Sequence, residues 1–268
     1  APQTNNASMR NRGWELSLNW RGKIGSDIDY SIGGSLSDAT AEVTEYANPT
    51  GTNPAGNWYE GRKVGEIWGY RASGIIQTQE EADEYNSKYN LSYLSGTAWT
   101  PGDVKYIDLN NDGKIDRGDN NLNNMGDMTI IGNTTPRYQY TINGSISWKD
   151  LSLSVMFQGV GKRDWDPGTA PYFWGSGAYA QVTVFNEHMD YWREDNKDAY
   201  YPKPYIHSAG GVGPFRNKIM QTSDRYLQSG AYCRLKNITL SYNLPSTWVK
   251  KAGMQKVQVF FSGENLLT

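Results

Sequence analysis

Strict alternation of apolar and polar residues is the feature that most constrains the fold of this chain. Residues 14–20 read Trp-Glu-Leu-Ser-Leu-Asn-Trp, so every second side chain is apolar. Five further stretches repeat the pattern, within residues 28–36, 138–148, 151–157, 238–242 and 257–261. A period of two places successive side chains on opposite faces of a strand. The sequence therefore predicts six β-strands, each with one apolar face and one small, polar face.

The connections between these predicted strands differ greatly in length. Short turns join the first and second strands at 21–26, the third and fourth at 149–150, and the fifth and sixth at 245–254, where one helical turn is expected. The other two connections, 39–136 and 161–231, are far longer than compact domains usually allow. Short turns at one end and long loops at the other are typical of outer-membrane barrels, although a soluble β-sandwich or propeller also alternates.

Composition narrows the class of protein. The chain carries 10 Trp, 19 Tyr and 6 Phe, and disordered chains are poor in aromatic residues. It contains no run of about 18 apolar residues, which a transmembrane helix would need. Its net charge of -2 provides no basic field for nucleic acid, and its single Cys excludes an internal disulfide and a multi-thiolate zinc site. No nucleotide-binding or hydrolase motif is present, so we expect no enzymatic activity.

One short segment, residues 108–119, has the spacing of a calcium-binding loop. Oxygen-bearing side chains fall at loop positions 1, 3, 5 and 9, Gly113 allows a sharp turn at position 6, and Ile115 is the apolar residue at position 8. Calcium takes six to eight oxygen ligands, and this spacing wraps them around one point. The predicted ligands are Asp108, Asn110, Asp112, the Lys114 carbonyl, Asp116 and Asp119. We expect a structural calcium ion that braces a long loop with little core of its own; the alternative is a metal-free, Asx-rich turn.

Two other features lie within the long connections. Residues 79–95 predict a short acidic helix. Four aromatic residues in the second connection are the candidates for contact with a substrate or with a partner protein, since exposed aromatic rings stack on ligands. They are Trp165, Tyr172, Phe173 and Trp174. The alternative is that these rings only pack the loop.

Several segments, in order along the chain, resemble the C-terminal third of SusC/RagA-type TonB-dependent transporters of the Bacteroidetes outer membrane. They are Gly13-Trp14-Glu15-Leu16-Ser17-Leu18, Gly65-Glu66-Ile67-Trp68-Gly69-Tyr70, Pro101-Gly102-Asp103-Val104-Lys105-Tyr106-Ile107-Asp108, Ile130-Ile131-Gly132-Asn133, Phe157-Gln158-Gly159, Arg234-Leu235-Lys236-Asn237-Ile238-Thr239-Leu240-Ser241-Tyr242-Asn243-Leu244-Pro245 and Ser262-Gly263-Glu264-Asn265-Leu266. Individually some are weak, but together they cover nearly the whole chain. The resemblance implies that residues 1–268 form the C-terminal portion of such a barrel: an all-β, antiparallel transmembrane β-barrel portion of about six or more strands. Residues 39–136 and 161–231 are then its long extracellular loop regions.

The resemblance also implies a function and partners. The family imports glycans, or in some members peptides, across the outer membrane, with energy delivered through the TonB complex and with a SusD-like surface lipoprotein as a lid. The lipid of the outer membrane would contact the apolar stripes. We find no plug, TonB box or aromatic-ended final strand, so we expect the chain to be a fragment of such a transporter.

Two other functions compete with import. One is a soluble, calcium-stabilised β-domain that binds carbohydrate without transport; its apolar stripes would meet in a core. The other is a glycoside hydrolase, which would need two carboxylates across a cleft. The exposure of the apolar stripes distinguishes the first of these from a barrel wall.

Overall fold

The computed structural model describes residues 6–168, 170–175, 184–205 and 217–268. These residues fall into two compact units. The sheet unit comprises residues 11–41, 135–163 and 229–268. The excursion unit comprises the described residues of the two long connections, 42–134 and 164–228, together with residues 6–10. No described helix is both long enough and apolar enough to cross a membrane.

A six-stranded antiparallel sheet forms the sheet unit, and all six predicted strands lie in it. Its strands are β1 (Ala7–Ile24), β2 (Ile28–Tyr46), β7 (Arg137–Trp148), β8 (Leu151–Lys162), β11 (Tyr232–Asn243) and β12 (Gln258–Leu267). Their order in the sheet is β1-β2-β7-β8-β11-β12, so each strand pairs with its neighbour in the predicted order. Because the pairing follows the chain, this sheet is a meander with short turns at one end.

The turns are as short as the sequence predicts. Gly25, with φ of +62°, lies in the turn between β1 and β2, and Lys149, with φ of +53°, lies in the two-residue turn between β7 and β8. The last turn contains one short helix, α3 (Ser246–Lys251), as expected from the sequence. Left-handed backbone at such positions is the conformation that tight hairpins require.

The excursion unit consists of short elements. Three two-stranded sheets are formed by β3 (Glu66–Tyr70) with β6 (Met128–Asn133), β4 (Ala72–Ile75) with β5 (Val104–Tyr106), and β9 (Asp164–Trp165) with β10 (Gln228–Ser229). Its described helices include α1 (Gln79–Lys88), α2 (Pro171–Trp174) and one 3-10 turn (Asn186–Met189). Helix α1 confirms the predicted acidic helix but ends earlier than residue 95. The Thr78 side chain accepts a hydrogen bond from the Glu81 N–H at its start.

The hydrophobic core of the described residues lies in the excursion unit. Trp99, Tyr106 and Ile115 are buried there from the first connection, and Ile219 and Tyr226 from the second. The expectation that the calcium-type loop lies in a connection with little core of its own is therefore wrong. This core depends on contacts between residues more than 100 positions apart, such as Tyr106 and Lys218. The alternating pattern within single strands therefore does not reveal it.

A buried ion pair joins the two connections within this core. Lys218 Nζ lies 3.3 Å from Asp103 Oδ2, and both side chains are buried. Burial lowers the pKa of Lys218, and the carboxylate of Asp103 opposes that effect. The Tyr106 hydroxyl donates to the Lys218 carbonyl at 3.1 Å, and the Tyr205 hydroxyl donates to Asp103. The second connection thus completes the fold of the first.

Candidate functional site

The sheet has one continuous apolar face. Residues directly opposite each other on antiparallel strands share a face, and one such row contains Tyr30, Ile146, Leu153, Leu240 and Phe261. The adjacent rows on this face contain further apolar residues, among them Trp148, Leu151, Tyr242 and Val259. The strand register therefore places the apolar residues of the separate strands next to one another on one surface.

This apolar face is exposed. The exposed fractions of Leu16, Ile142 and Val259 are 51%, 49% and 57%, and Leu153 is partly buried. Packed cores bury such residues almost completely. A β-sandwich would press these stripes against a second sheet, so their exposure in the described chain counts against the soluble alternative and is what a lipid-facing wall requires.

The length of the apolar stripe along β2 matches that of a membrane-spanning strand. Its rows run from Ile28, opposite Trp148, to Leu36, opposite Tyr140. These nine positions of β2 span roughly 27 Å at the rise of an antiparallel strand. Transmembrane strands need about 9–11 residues, so the band has the length of one bilayer crossing.

The opposite face of the sheet is polar. Hydroxyl groups pair across the strands, with Ser31 Oγ 2.7 Å from Ser145 Oγ and Ser147 Oγ 2.9 Å from Ser152 Oγ. Ser262 lies 3.1 Å from the Thr239 hydroxyl in the same way. Phe260, opposite Ser241, is an exception. A face of small, hydrogen-bonded hydroxyl side chains can contact a water-filled passage. The sheet therefore has one face suited to lipid and one suited to water.

In the excursion unit, the predicted calcium loop folds around backbone donors. Asp108 Oδ2 accepts from the Gly113 N–H at 3.0 Å, and Asp112 Oδ1 accepts from the Lys114 N–H at 2.9 Å. Asn110 Oδ1 accepts from the Asp112 N–H at 3.1 Å. Gly113 has φ of +76°, and Ile115 is fully buried, so the turn and the apolar residue are placed as predicted.

The two last predicted ligands behave differently from each other. Asp116 Oδ1 accepts from the Gly118 N–H at 2.6 Å, within the loop. Asp119 Oδ2 instead accepts from the Asn124 side chain at 3.0 Å. Among the residues that the structure describes, no three or more His, Cys, Asp or Glu side chains form a group that could hold a metal ion. Calcium binding therefore stays a prediction.

Asp127 is the residue of this region that the sequence pattern missed. It is fully buried, and its two carboxylate oxygens accept from the Leu109 N–H at 2.7 Å and the Asp116 N–H at 2.8 Å. Burial raises the pKa of Asp127, and these two N–H groups oppose the rise. One carboxylate thereby ties positions 2 and 9 of the loop together. Its place eight residues beyond the loop gives it no motif signature.

The four candidate aromatic residues divide into two pairs. Trp174 is 7% exposed, and its indole N–H donates to the Gly168 carbonyl at 2.8 Å. Phe173 packs edge-on against Trp174 with ring centres 4.9 Å apart, so both contribute to the core. Trp165 and Tyr172 are exposed. Contact with a substrate or partner stays a prediction, and these two residues are the accessible ones.

Nearly the whole chain is similar in sequence to proteins that share the name TonB-dependent receptor. TonB-dependent receptor P3 of Formosa agariphila is 27% identical over 278 residues, which cover 98% of this chain and 24% of that protein. TonB-dependent receptor P26 of the same organism is 24% identical, with coverage of 98% and 25%. The chain thus spans about a quarter of the length of the curated relatives it matches. No family model matches it.

Solved structures show the same fold. The structure of the RagAB peptide transporter superposes with a TM-score of 0.63 at 20% identity, covering 98% of this chain and 26% of that one. The RagAB peptide importer in its "closed-closed" state gives a TM-score of 0.61. These relatives confirm the resemblance to RagA-type TonB-dependent receptors, the fold class and the expected outer-membrane location.

Proposed function

We propose that the chain is part of a TonB-dependent active importer in the outer membrane. The observation that carries the proposal is the sheet with one exposed apolar face and one hydroxyl-lined face. In this function the apolar face contacts lipid and the polar face lines the passage, and the two long connections supply extracellular loops, as the resemblance implies. The similarity to TonB-dependent receptors supports this assignment.

Uptake by cells tests the proposal directly. We expect cells that carry the protein to accumulate a labelled oligosaccharide or peptide cargo, and cells that lack it, or that lack TonB, to lose that accumulation. The protein should require detergent for solubility. A protein that stays monomeric in buffer without detergent would instead support the soluble, calcium-stabilised carbohydrate-binding domain.

The cargo and the lid belong to the same proposal. We propose a glycan or peptide cargo and a SusD-like lipoprotein lid, as the resemblance implies. RagAB, one of the solved structures with this fold, is a peptide transporter. Trp165 and Tyr172 are the exposed aromatic residues that would contact the cargo or the lid. Replacing both with Ala should weaken capture at least severalfold, since stacked aromatic rings contribute strongly to binding.

We also propose that the loop at 108–119 binds one calcium ion with a structural role. Asp108, Asn110, Asp112 and Asp116 supply side-chain oxygens, the Lys114 carbonyl supplies another, and Asp119 completes the set through a loop adjustment. Calorimetric titration of the intact protein tests this. Uptake of one calcium at up to millimolar concentration, lost in Asp112→Ala, supports the site, and no heat of binding contradicts it.

A further inference from the structure

The turn between β11 and β12, residues 244–257, carries an unbalanced positive charge. It contains three lysines and no acidic residue, although the whole chain has a net charge of -2. All three lysine side chains are exposed, and none forms an ion pair with an acidic side chain of the described residues. They are Lys250, Lys251 and Lys256.

The other two turns of the sheet are balanced in charge. Residues 21–29 contain two basic and two acidic residues, and residues 149–150 contain one of each. Lys23 Nζ lies 3.2 Å from Asp29 Oδ1, and Lys149 Nζ lies 3.7 Å from Asp27 Oδ2. The excess positive charge is therefore a property of the last turn and not of this whole end of the sheet.

The last turn is ordered by hydrogen bonds and exposes one large aromatic side chain. The Leu244 N–H donates to the Val257 carbonyl at 2.9 Å, and the Met254 N–H donates to the Val249 carbonyl at 3.1 Å. Helix α3 buries Val249, which is 3% exposed, and leaves Trp248 66% exposed. Trp is enriched where membrane meets water, because its ring is apolar and its N–H is polar.

The turn lies directly beyond the end of the apolar face. The last apolar row at this end of the sheet contains Trp148, Leu151, Tyr242 and Val259. The turn begins two residues after Tyr242 and ends two residues before Val259. A bilayer has its headgroups directly beyond its hydrocarbon core. With the apolar face in hydrocarbon, the three lysines and Trp248 therefore lie at the level of the headgroups.

We propose that residues 244–257 bind the headgroups of anionic phospholipids in the adjoining leaflet. The lysine ammonium groups attract the negatively charged headgroups, and Trp248 anchors the turn at the interface. An acidic protein segment is the competing occupant. The exposed Trp248 and the continuity with the apolar face favour lipid. The proposal rests on the proposed function only in placing the apolar face in lipid.

Native mass spectrometry of the intact protein, purified in a nonionic detergent, tests the proposal. Dioleoyl phosphatidylglycerol is the anionic probe, and dioleoyl phosphatidylcholine is the zwitterionic probe with the same acyl chains. Hexaglutamate is the acidic peptide probe. We expect phosphatidylglycerol to bind at least about tenfold more tightly than phosphatidylcholine, since each nearby lysine strengthens binding to an anionic surface about fivefold.

Two triple variants with the same change in net charge separate the turn from the charge of the whole protein. The test variant combines Lys250→Gln, Lys251→Gln and Lys256→Gln. It should lose the preference for phosphatidylglycerol and keep its affinity for phosphatidylcholine. The control variant changes three exposed basic residues of the excursion unit, as Arg71→Gln, Lys88→Gln and Lys197→Gln. It should retain the preference, and heat-modifiable mobility in gel electrophoresis checks that both variants are folded.

Three results would overturn the proposal. They are equal affinity of the parent protein for the two phospholipids, equal losses in the two triple variants, and binding of hexaglutamate to the turn in place of phosphatidylglycerol. Binding of neither phospholipid would overturn it together with the assignment of the apolar face to lipid. Equal binding of both phospholipids would remove the headgroup site alone, so the two failures are distinguishable.

Discussion

The hydroxyl of Tyr85 forms two hydrogen bonds with the backbone of Tyr106, donating to its carbonyl oxygen at 2.8 Å and accepting from its N–H at 2.9 Å. One helix side chain thereby completes the edge of strand β5. In Tyr85→Phe both backbone groups lose their partner while buried, so we expect the free energy of unfolding to fall by about 1–3 kcal/mol. Denaturant titration followed by tryptophan fluorescence measures it, and an unchanged midpoint would contradict this account.

The same Asp→Asn substitution at Asp127 and at Asp119 compares a buried carboxylate with an exposed one in the region of the loop at 108–119. Asp127→Asn retains one acceptor oxygen where two backbone N–H groups need one each, so we expect a loss of about 1–3 kcal/mol in the free energy of unfolding. Asp119→Asn makes the same chemical change at an exposed site and, with calcium removed by a chelator from both variants, should stay within about 0.5 kcal/mol. Thermal melting of both variants compares them. Equal shifts would show that Asp127 does not hold the loop.

Ile146 and Ser145 are neighbours on β7 that lie on opposite faces of the sheet. Arg at a lipid-facing position costs about 2–4 kcal/mol near the membrane midplane, so Ile146→Arg should reduce the amount of folded protein in the outer membrane. Ser145→Arg adds the same side chain to the polar face and should be tolerated. Heat-modifiable mobility in gel electrophoresis of membrane fractions distinguishes folded from unfolded protein. Equal yields of the two variants would contradict the assignment of the faces.

Lys218 is expected to be far more important than Lys105 for stability. Removing one partner of a buried pair leaves an uncompensated charge, so Lys218→Met should cost about 3–5 kcal/mol. Lys105 pairs with Glu81 at a partly exposed position, and Lys105→Met should cost less than about 1 kcal/mol. Denaturant titration gives both values. The ion-pair interpretation fails if the two losses are similar.

Tyr226 links stability to alkaline pH. Burial raises its pKa from 10.0 to about 12, with the nearby Arg225 opposing the rise. A raised pKa in the folded state means that the stabilisation is complete below pH 10 and is lost as the pH rises toward 12. We therefore expect the melting temperature to fall across this window, and Tyr226→Phe to reduce the slope. Tyrosinate absorbance near 295 nm, recorded with the melting curve, checks this; an identical slope in the variant would contradict it.

The sheet could be predicted from the sequence because its information is local. Alternation within seven residues, as from Trp14 to Trp20, reports the two faces of a strand, and a two-residue turn such as Lys149-Asp150 fixes which strands are neighbours. The turn of the loop at 108–119 could be predicted for the same reason, since it depends on Gly113 and residues close to it in sequence. The fold class and these elements follow from short-range rules.

The excursion unit could not be predicted in the same way. Phe173 and Trp174 resemble exposed binding residues in the sequence, and only their contacts with distant residues such as Tyr226 reveal a core position. Asp127 lacks a motif because it acts through two backbone N–H groups.

The contact between Tyr106 and Lys218 also dictates an order of events during biogenesis. The first connection leaves the ribosome before the second, yet its core is incomplete without Ile219 and Tyr226. Contacts of such sequence separation form slowly, because a long stretch of chain must close first. Residues 42–134 therefore cannot complete this core until Ile219 and Tyr226 have been synthesised.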